Sequence, residues 1–173
     1  MDSDTRAILF VDVDGVISLF GFPSSGQPPG HLYPVDGVSH CIGHGCGDRL
    51  NMLSCRFELV WATGWEDRAN EHLPDLLGLA AAELPSLTFD GLAVFGSSDW
   101  KLDAIDRYAG DRPAAWVDDN IDEHCERWAR GRGAPTLLVR TESAVGITDK
   151  HVELLLRWAD QLAERSRRGA RDG

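Results

Sequence analysis

Short apolar runs that alternate with amphipathic stretches constrain this chain more than any other feature. The runs are Ile8–Val11, Phe57–Ala62, Leu92–Phe95, Ala114–Val117 and Thr136–Val139. Each has the length of a strand, and most are flanked by turn or breaker residues. Between them, helical spacing of apolar side chains marks residues 48–54, 67–77, 99–108 and 121–130. A last helix is predicted after Thr148, a good N-cap, with Val152, Leu155, Leu156, Ala159 and Leu162 along it. Alternation of this kind predicts an α/β fold: a three-layer, Rossmann-like, mostly parallel sheet with helices on both faces. With 173 residues, 43% of them hydrophobic, the chain has material for one core. We expect a single domain over residues 1–165, a small flap or loop insert over 16–45, and a polar, disordered tail over 166–173.

The formal net charge of −11 argues against an extensive surface for gripping nucleic acid or anionic lipid, because such surfaces are basic. A small local basic groove is still compatible with it. The opening MDSDTRAILF is acidic and lacks the apolar core of a signal peptide. No apolar run approaches the ~18 residues of a membrane span. The four cysteines are too few and too scattered for a disulfide framework. A reduced, cytoplasmic protein is the expectation.

Polar residues follow the predicted strands in a consistent way. Asp12 follows the first run in ILFVDVDGVI, Thr63 follows the run ending at Ala62, and Asp118 and Asp119 follow Val117. In an open parallel sheet, ligands bind just beyond the carboxyl ends of the strands. Segments far apart in sequence thus deliver oxygen-rich side chains to one edge. Several carboxylates without matching His or Cys favour a hard cation such as Mg²⁺. Its charge would offset the repulsion between Asp12 and its neighbours. Extended geometry points Asp12 and Asp14 to the same side, with Val13 turned away. Gly15 then permits a sharp exit and a close approach by ligand.

These residues suit phosphoryl chemistry. An ionised Asp12 can attack phosphorus once the phosphate charge is offset by Mg²⁺ and a lysine. Asp14 is placed to protonate the leaving oxygen and later to deprotonate water. Ser97, Ser98 and Asp99 read as a helix start, which puts Lys101 in a first turn, where an anion is favoured. Thr63 and the amide of Gly64 can bind phosphate oxygens.

The same segments resemble the haloacid dehalogenase (HAD) superfamily. VDVDGVI is similar to its first motif, WATGW to its second, Lys101 can serve as the third, and WVDDN is similar to the double-aspartate form of the fourth. They come in the family order. The resemblance implies a HAD-type phosphatase with an aspartyl-phosphate intermediate on Asp12 and acid/base work by Asp14. It implies phosphate contacts by Thr63 and Lys101. It also implies Mg²⁺ held by Asp12, the Asp14 carbonyl and the pair Asp118 and Asp119, taken together, with Asp122 in support through water. WATGWED, WVDDN and ITDKHVELLLRWA are also similar to small bacterial members grouped with RNA-repair HAD domains.

The segment 16–57 holds SLFGFPSSGQPPGHLYPVDG and one helix, enough for a hairpin flap but not a helical cap. An open site follows, and with it a phosphorylated substrate that is large, or a lid supplied by a partner. The reading is a Mg²⁺-dependent phosphomonoester hydrolase, with a nucleic-acid end phosphatase in RNA repair as an alternative. Receiver domains, which bind phosphate without hydrolysing a substrate, are a further alternative on a similar sheet. They carry the acidic pair first and lack a carboxylate two residues after the acceptor. HCIGHGC (His40 to Cys46) has metal-ligand spacing, but zinc sites usually pair two clusters, and Cys55 and Cys125 stand alone. Trp61 and Trp116 are assigned to the core. Trp65 is assigned to packing, with stacking of a base at the rim as its alternative.

Overall fold

The computed structural model describes residues 6–91, 94 and 96–169. Four parallel strands form the central sheet: β1 (Ala7–Val11), β5 (Phe57–Trp61), β6 (Ala114–Asp118) and β7 (Thr136–Arg140), in the spatial order β5-β1-β6-β7. Five helices cover it: α1 (Cys46–Ser54), α2 (Arg68–Leu77), α3 (Leu102–Ala109), α4 (Glu123–Gly131) and α5 (Asp149–Gly169). Strand alternation sorts the core into two layers. Leu9, Val11, Leu59, Trp61, Ala115 and Val117 meet Leu50 and Leu53 of α1, Leu73 of α2 and Leu155 of α5. Ile8, Phe10, Val60, Ala114 and Trp116 meet Ile105 of α3 and Cys125 of α4. Burying each large side chain of this kind contributes about 1.5–3 kcal/mol. The structure is therefore the expected α/β three-layer fold, and Trp61 and Trp116 lie in its core at 0% and 1% exposure.

Chain order determines where the crevice opens. From β1 the chain moves to β5 on one side and later to β6 on the other, so the crossovers diverge beyond the end of β1. Register aligns the three ends. Val11 pairs with Trp61 and with Val117, the Asp12 N–H donates to Val117 O at 3.1 Å, and Ala62 N–H donates to Val11 O at 2.9 Å. Asp12, Thr63 and Asp118 consequently emerge side by side.

The segment after β1 forms a separate antiparallel sheet of β2 (Ser18–Leu19), β4 (Val38–Gly43) and β3 (Gly30–Val35). Asp36 and Gly37 turn the β3–β4 hairpin with φ of 50° and 80°, as a two-residue hairpin loop requires. Arg68 of α2 forms an ion pair with Asp36, which ties the hairpin tip to the core.

The helices differ from expectation in two places. A 3-10 turn over Asp99–Lys101 precedes α3, so Lys101 stands at the junction of the two. The tail expected to fray from residue 166 instead continues α5 through Gly169, and residues 170–173 lie outside the described ones. Glu164, Arg165, Arg167 and Arg168 are good helix formers, and an existing helix extends over them without a new nucleus. Of the strand expected at 92–95, residues 92, 93 and 95 lie outside the described residues, and Val94 is not in a strand. The outer edge of β5 is met by another segment. Trp61 N–H donates to Pro85 O at 2.8 Å, and Leu87 N–H donates to Trp61 O at 2.9 Å. No helix among the described residues is long and apolar enough to cross a membrane.

Candidate active site

A cleft of about 420 Å³ opens where the ends of β1, β5 and β6 meet, and Asp12, Asp14, Gly64, Ser98, Lys101 and Asp119 border it. Asp12 is 6% exposed, and its Oδ1 accepts the Val13 N–H at 2.7 Å. Its Oδ2 lies 2.9 Å from Lys101 Nζ. The same ammonium lies 2.7 Å from Asp118 Oδ2, so one buried cation bridges the two strand ends. Asp118 is fully buried. Its Oδ1 accepts from Ser98 Oγ at 2.5 Å and from Asn120 N–H at 2.9 Å. Both oxygens of Asp118 are thus engaged by the protein. Asp119 faces the cleft instead. Asp12, Asp118 and Asp119 each bring a carboxylate oxygen to within 4.8 Å of one another.

The main chain beyond β1 is wound tightly enough to bring these groups together. Val13 O accepts from Ile17 N–H at 2.8 Å and Ser18 N–H at 2.9 Å, and the Gly15 carbonyl accepts from Thr141 Oγ1 at 2.8 Å. Val13 is buried in the core, while Asp12 and Asp14 both reach the cleft. Asp14 is exposed, and its Oδ2 accepts from Trp65 Nε1 at 3.0 Å. The Trp65 ring meets His40 edge-on at 4.7 Å, and His40 Nδ1 is 2.9 Å from Ser18 Oγ. Thr63 is fully buried with its hydroxyl accepting from Trp65 N–H at 3.3 Å, and Gly64 forms the part of that loop that borders the cleft.

Electrostatics reflect the crowding. Burial pushes the Asp12 carboxyl up to about 8; Lys101 opposes the rise and Asp118 adds to it. Burial also raises Asp119. Burial works against the charge on Lys101, but Asp12 and Asp118 outweigh it and hold the ammonium above its ordinary pKa. Three carboxylates share one ammonium, which leaves a formal deficit of two positive charges when all are ionised. The all-oxygen donor set and that deficit fit a hard divalent cation.

Three side chains contribute in ways their sequence context did not suggest. Ser98, read as part of a helix start, holds Asp118. Trp65, read as packing or base stacking, donates to Asp14. Asp122, read as support through water, caps α4 by accepting from His124 N–H and Cys125 N–H. The pattern Asp-x-x-Cys ahead of an amphipathic run is an N-cap signal that could have revealed the last of these. The HCIGHGC segment gathers no metal-ligand group of three among the described residues: His40 joins Ser18 and Trp65, and His44 stacks edge-on with His31 at 4.5 Å. Burial pushes the Cys46 thiol up to about 11.

A doubly wound sheet with clustered aspartates and a bridging lysine beyond its central strand defines a protein of the haloacid dehalogenase class. The chain belongs to the family described as "HAD domain in Swiss Army Knife RNA repair proteins", whose signature matches residues 8–152. Among solved structures it is similar to a hypothetical protein from Xanthomonas campestris, with 16% identity and a TM-score of 0.47, over 96% of this chain and 89% of that one. No curated protein matches it.

Proposed function

We propose that this domain is a Mg²⁺-dependent phosphatase that removes a phosphoryl group from a nucleic-acid end by way of a phosphoryl group carried on Asp12. The observation that carries this reading is the Lys101 ammonium, 2.9 Å from Asp12 and 2.7 Å from Asp118, in a cleft that Asp14 also borders. Membership of the RNA-repair group supports a nucleic-acid end as the substrate class. The insert is an antiparallel sheet, and among the described residues it places no helical cap on the cleft, which supports a substrate larger than a metabolite.

An oxygen of Asp12 attacks phosphorus, and the ester P–O bond breaks. Asp14 donates its proton to the departing oxygen as that bond lengthens. The Asp14 carboxylate then takes a proton from water, the water oxygen attacks phosphorus, and Asp12 is released with inorganic phosphate. Lys101 and the Gly64 amide hold the phosphoryl oxygens, and Thr63 shapes the loop beneath them. Asp12, Asp119 and the Asp14 carbonyl would hold Mg²⁺, while Asp118, with both oxygens engaged, positions Lys101. Bound Mg²⁺ would supply charge neutralisation for the phosphate and for the aspartate cluster. Asp14, two residues beyond Asp12 in the same cleft, favours hydrolysis over the stable phosphorylation of a receiver.

The test is phosphate release with Mg²⁺ from para-nitrophenyl phosphate, nucleotides, and 3′- and 5′-phosphorylated oligonucleotides. Release from oligonucleotide ends is expected, together with its loss in a folded Asp12→Asn variant. Release from none of these monoesters, or undiminished release by Asp12→Asn, would overturn the proposal.

A further inference from the structure

Two clefts, not one, meet at Asp119. The second, of about 580 Å³, is bordered by Phe20, Asp119, Arg140, Glu142 and Ser143. Phe20 and Asp119 border both clefts. Phe20 therefore forms the ridge between the site described above and a neighbouring depression. Phe20 is 43% exposed, and an exposed phenylalanine by itself would mean little. Here its backbone is held in place, because Phe20 N–H donates to Ser143 O at 3.0 Å across the second cleft. An apolar side chain on an anchored stretch of backbone thus borders both clefts.

Charge singles out a second residue. The cations bordering the two clefts are Lys101 in the first and Arg140 in the second. Lys101 is 3% exposed and is committed to Asp12 and Asp118. Arg140 is exposed and lies at the end of β7, in register with Asp118. Its Nε donates to the Asp119 carbonyl at 3.2 Å, which anchors the guanidinium at one edge and leaves the other edge of the fork for a ligand. Glu142 shares the cleft, and its charge also acts on His151. On a chain of net charge −11, an anionic strand leaving the site needs a local cation, and Arg140 is the one on its path.

We infer that the substrate strand continues over Phe20 into the second cleft, with Phe20 stacking the base of the nucleotide that carries the phosphate and Arg140 contacting the adjoining phosphodiester. The inference rests on the nucleic-acid-end reading above. It makes Phe20 and Arg140 the residues that separate a single-stranded oligonucleotide from a small phosphate ester. Stacking suits this role because every base offers a π-face, and the phosphodiester contact carries no sequence information.

Binding tests the inference without requiring turnover. A fluorescent single-stranded RNA octamer with a terminal phosphate is titrated by anisotropy, with Mg²⁺, against the Asp12→Asn protein and the same protein carrying Phe20→Ala or Arg140→Gln. Each added substitution is expected to weaken binding about tenfold, within the range set by loss of one stacked base or one charged contact. Arg140→Gln should also reduce the slope of log affinity against log salt by about one. Phe20→Tyr and Arg140→Lys should keep, respectively, the affinity and the salt slope, which excludes misfolding as the cause of a loss. In an otherwise wild-type chain, hydrolysis of para-nitrophenyl phosphate should stay within about twofold for Arg140→Gln and Arg140→Lys, since that ester does not reach the second cleft, the one of the two that Arg140 borders. Octamer affinity unchanged by Phe20→Ala or by Arg140→Gln, no octamer binding to the Asp12→Asn protein, or a loss on para-nitrophenyl phosphate by Arg140→Gln equal to its loss of octamer affinity would each overturn the inference. Absence of all phosphatase activity from the wild-type chain would instead overturn the proposed reaction, and the anisotropy result would still stand by itself.

Discussion

A Cβ placed on Gly15 would overlap Oδ2 of Asp119. Gly15 also has φ of +76°, a conformation that side chains disfavour. The glycine after the first aspartates and the second aspartate of the late pair are therefore fitted to each other across 104 residues of chain. Gly15→Ala should destabilise the protein by about 1–2 kcal/mol through the backbone alone. It should also push Asp119 out of the cleft and weaken Mg²⁺ binding by roughly tenfold, which is ~1.4 kcal/mol. Chemical denaturation and a Mg²⁺ titration followed by melting temperature measure the two effects. Unchanged Mg²⁺ affinity would show that Asp119 is not a ligand.

Among the described residues, Lys101 is the one cation paired with the buried carboxylates Asp12 and Asp118. Lys101→Met keeps most of the volume and removes the charge, so Asp12 and Asp118 lose their shared partner. Breaking a buried pair from one side costs about 3–5 kcal/mol. Urea denaturation without metal should register a loss of that order. Adding Asp118→Asn to Lys101→Met should restore part of the stability, because the unpaired charge is gone, while turnover stays absent. A double variant no more stable than Lys101→Met would mean that the lysine stabilises by packing, not by pairing.

Asp14 is oriented by Trp65, whose Nε1 lies 3.0 Å from its Oδ2. Trp65→Phe retains the ring but removes the donor. An alkyl phosphate leaves as a basic alkoxide and needs a proton, whereas para-nitrophenolate needs it far less. Asp14→Asn should slow the first step for the alkyl ester by about 10²–10⁴-fold, with much less effect on the aryl ester. Trp65→Phe should give the same pattern at a smaller amplitude, roughly tenfold. Single-turnover rates on both esters decide the matter: an equal loss on the two would make Trp65 a wall of the cleft and not a positioner of the acid.

Burial raises Asp12 from its ordinary 3.8 to about 8, so the native state keeps a proton that the unfolded chain releases across that range. For a carboxyl shifted upward, stability is highest below the unfolded value and falls as pH rises toward the folded one. Without metal, the melting temperature should drop between about pH 4 and 8. Asp12→Asn should flatten this component. On the proposed reading Mg²⁺ takes the place of the proton, so its stabilising effect should be larger at pH 8 than at pH 5. Melting curves in EDTA and in Mg²⁺ across that range are the check. A metal effect independent of pH would detach Asp12 from the cation.

The sheet and the edge at which Asp12, Thr63 and Asp118 gather were legible in one dimension. Apolar runs of strand length separated by amphipathic stretches allow few arrangements, and the residue after each run must lie at a strand end. Asp12, Thr63 and Asp118 could be placed together for that reason alone, before any distance was known. Pairing and burial then set what the runs could not: Trp61 meets residues 85–87, and the last helix extends over a polar segment whose propensity suffices once the helix exists.

The division of labour between Asp118 and Asp119 had no such signature. Neighbouring residues at a strand end point in different directions, and the one that faces the cleft depends on what occupies the other side. Ser98 and Lys101, brought in from a separate loop, take both sides of Asp118 and leave Asp119 to the cavity, above a glycine that makes room for it. The Trp65 indole likewise finds Asp14 only because the β1 and β5 ends converge and His40 of the insert backs the ring. Local sequence encodes backbone periodicity and strand ends; which side chains meet across loops is decided by packing between segments that only the folded chain brings into contact.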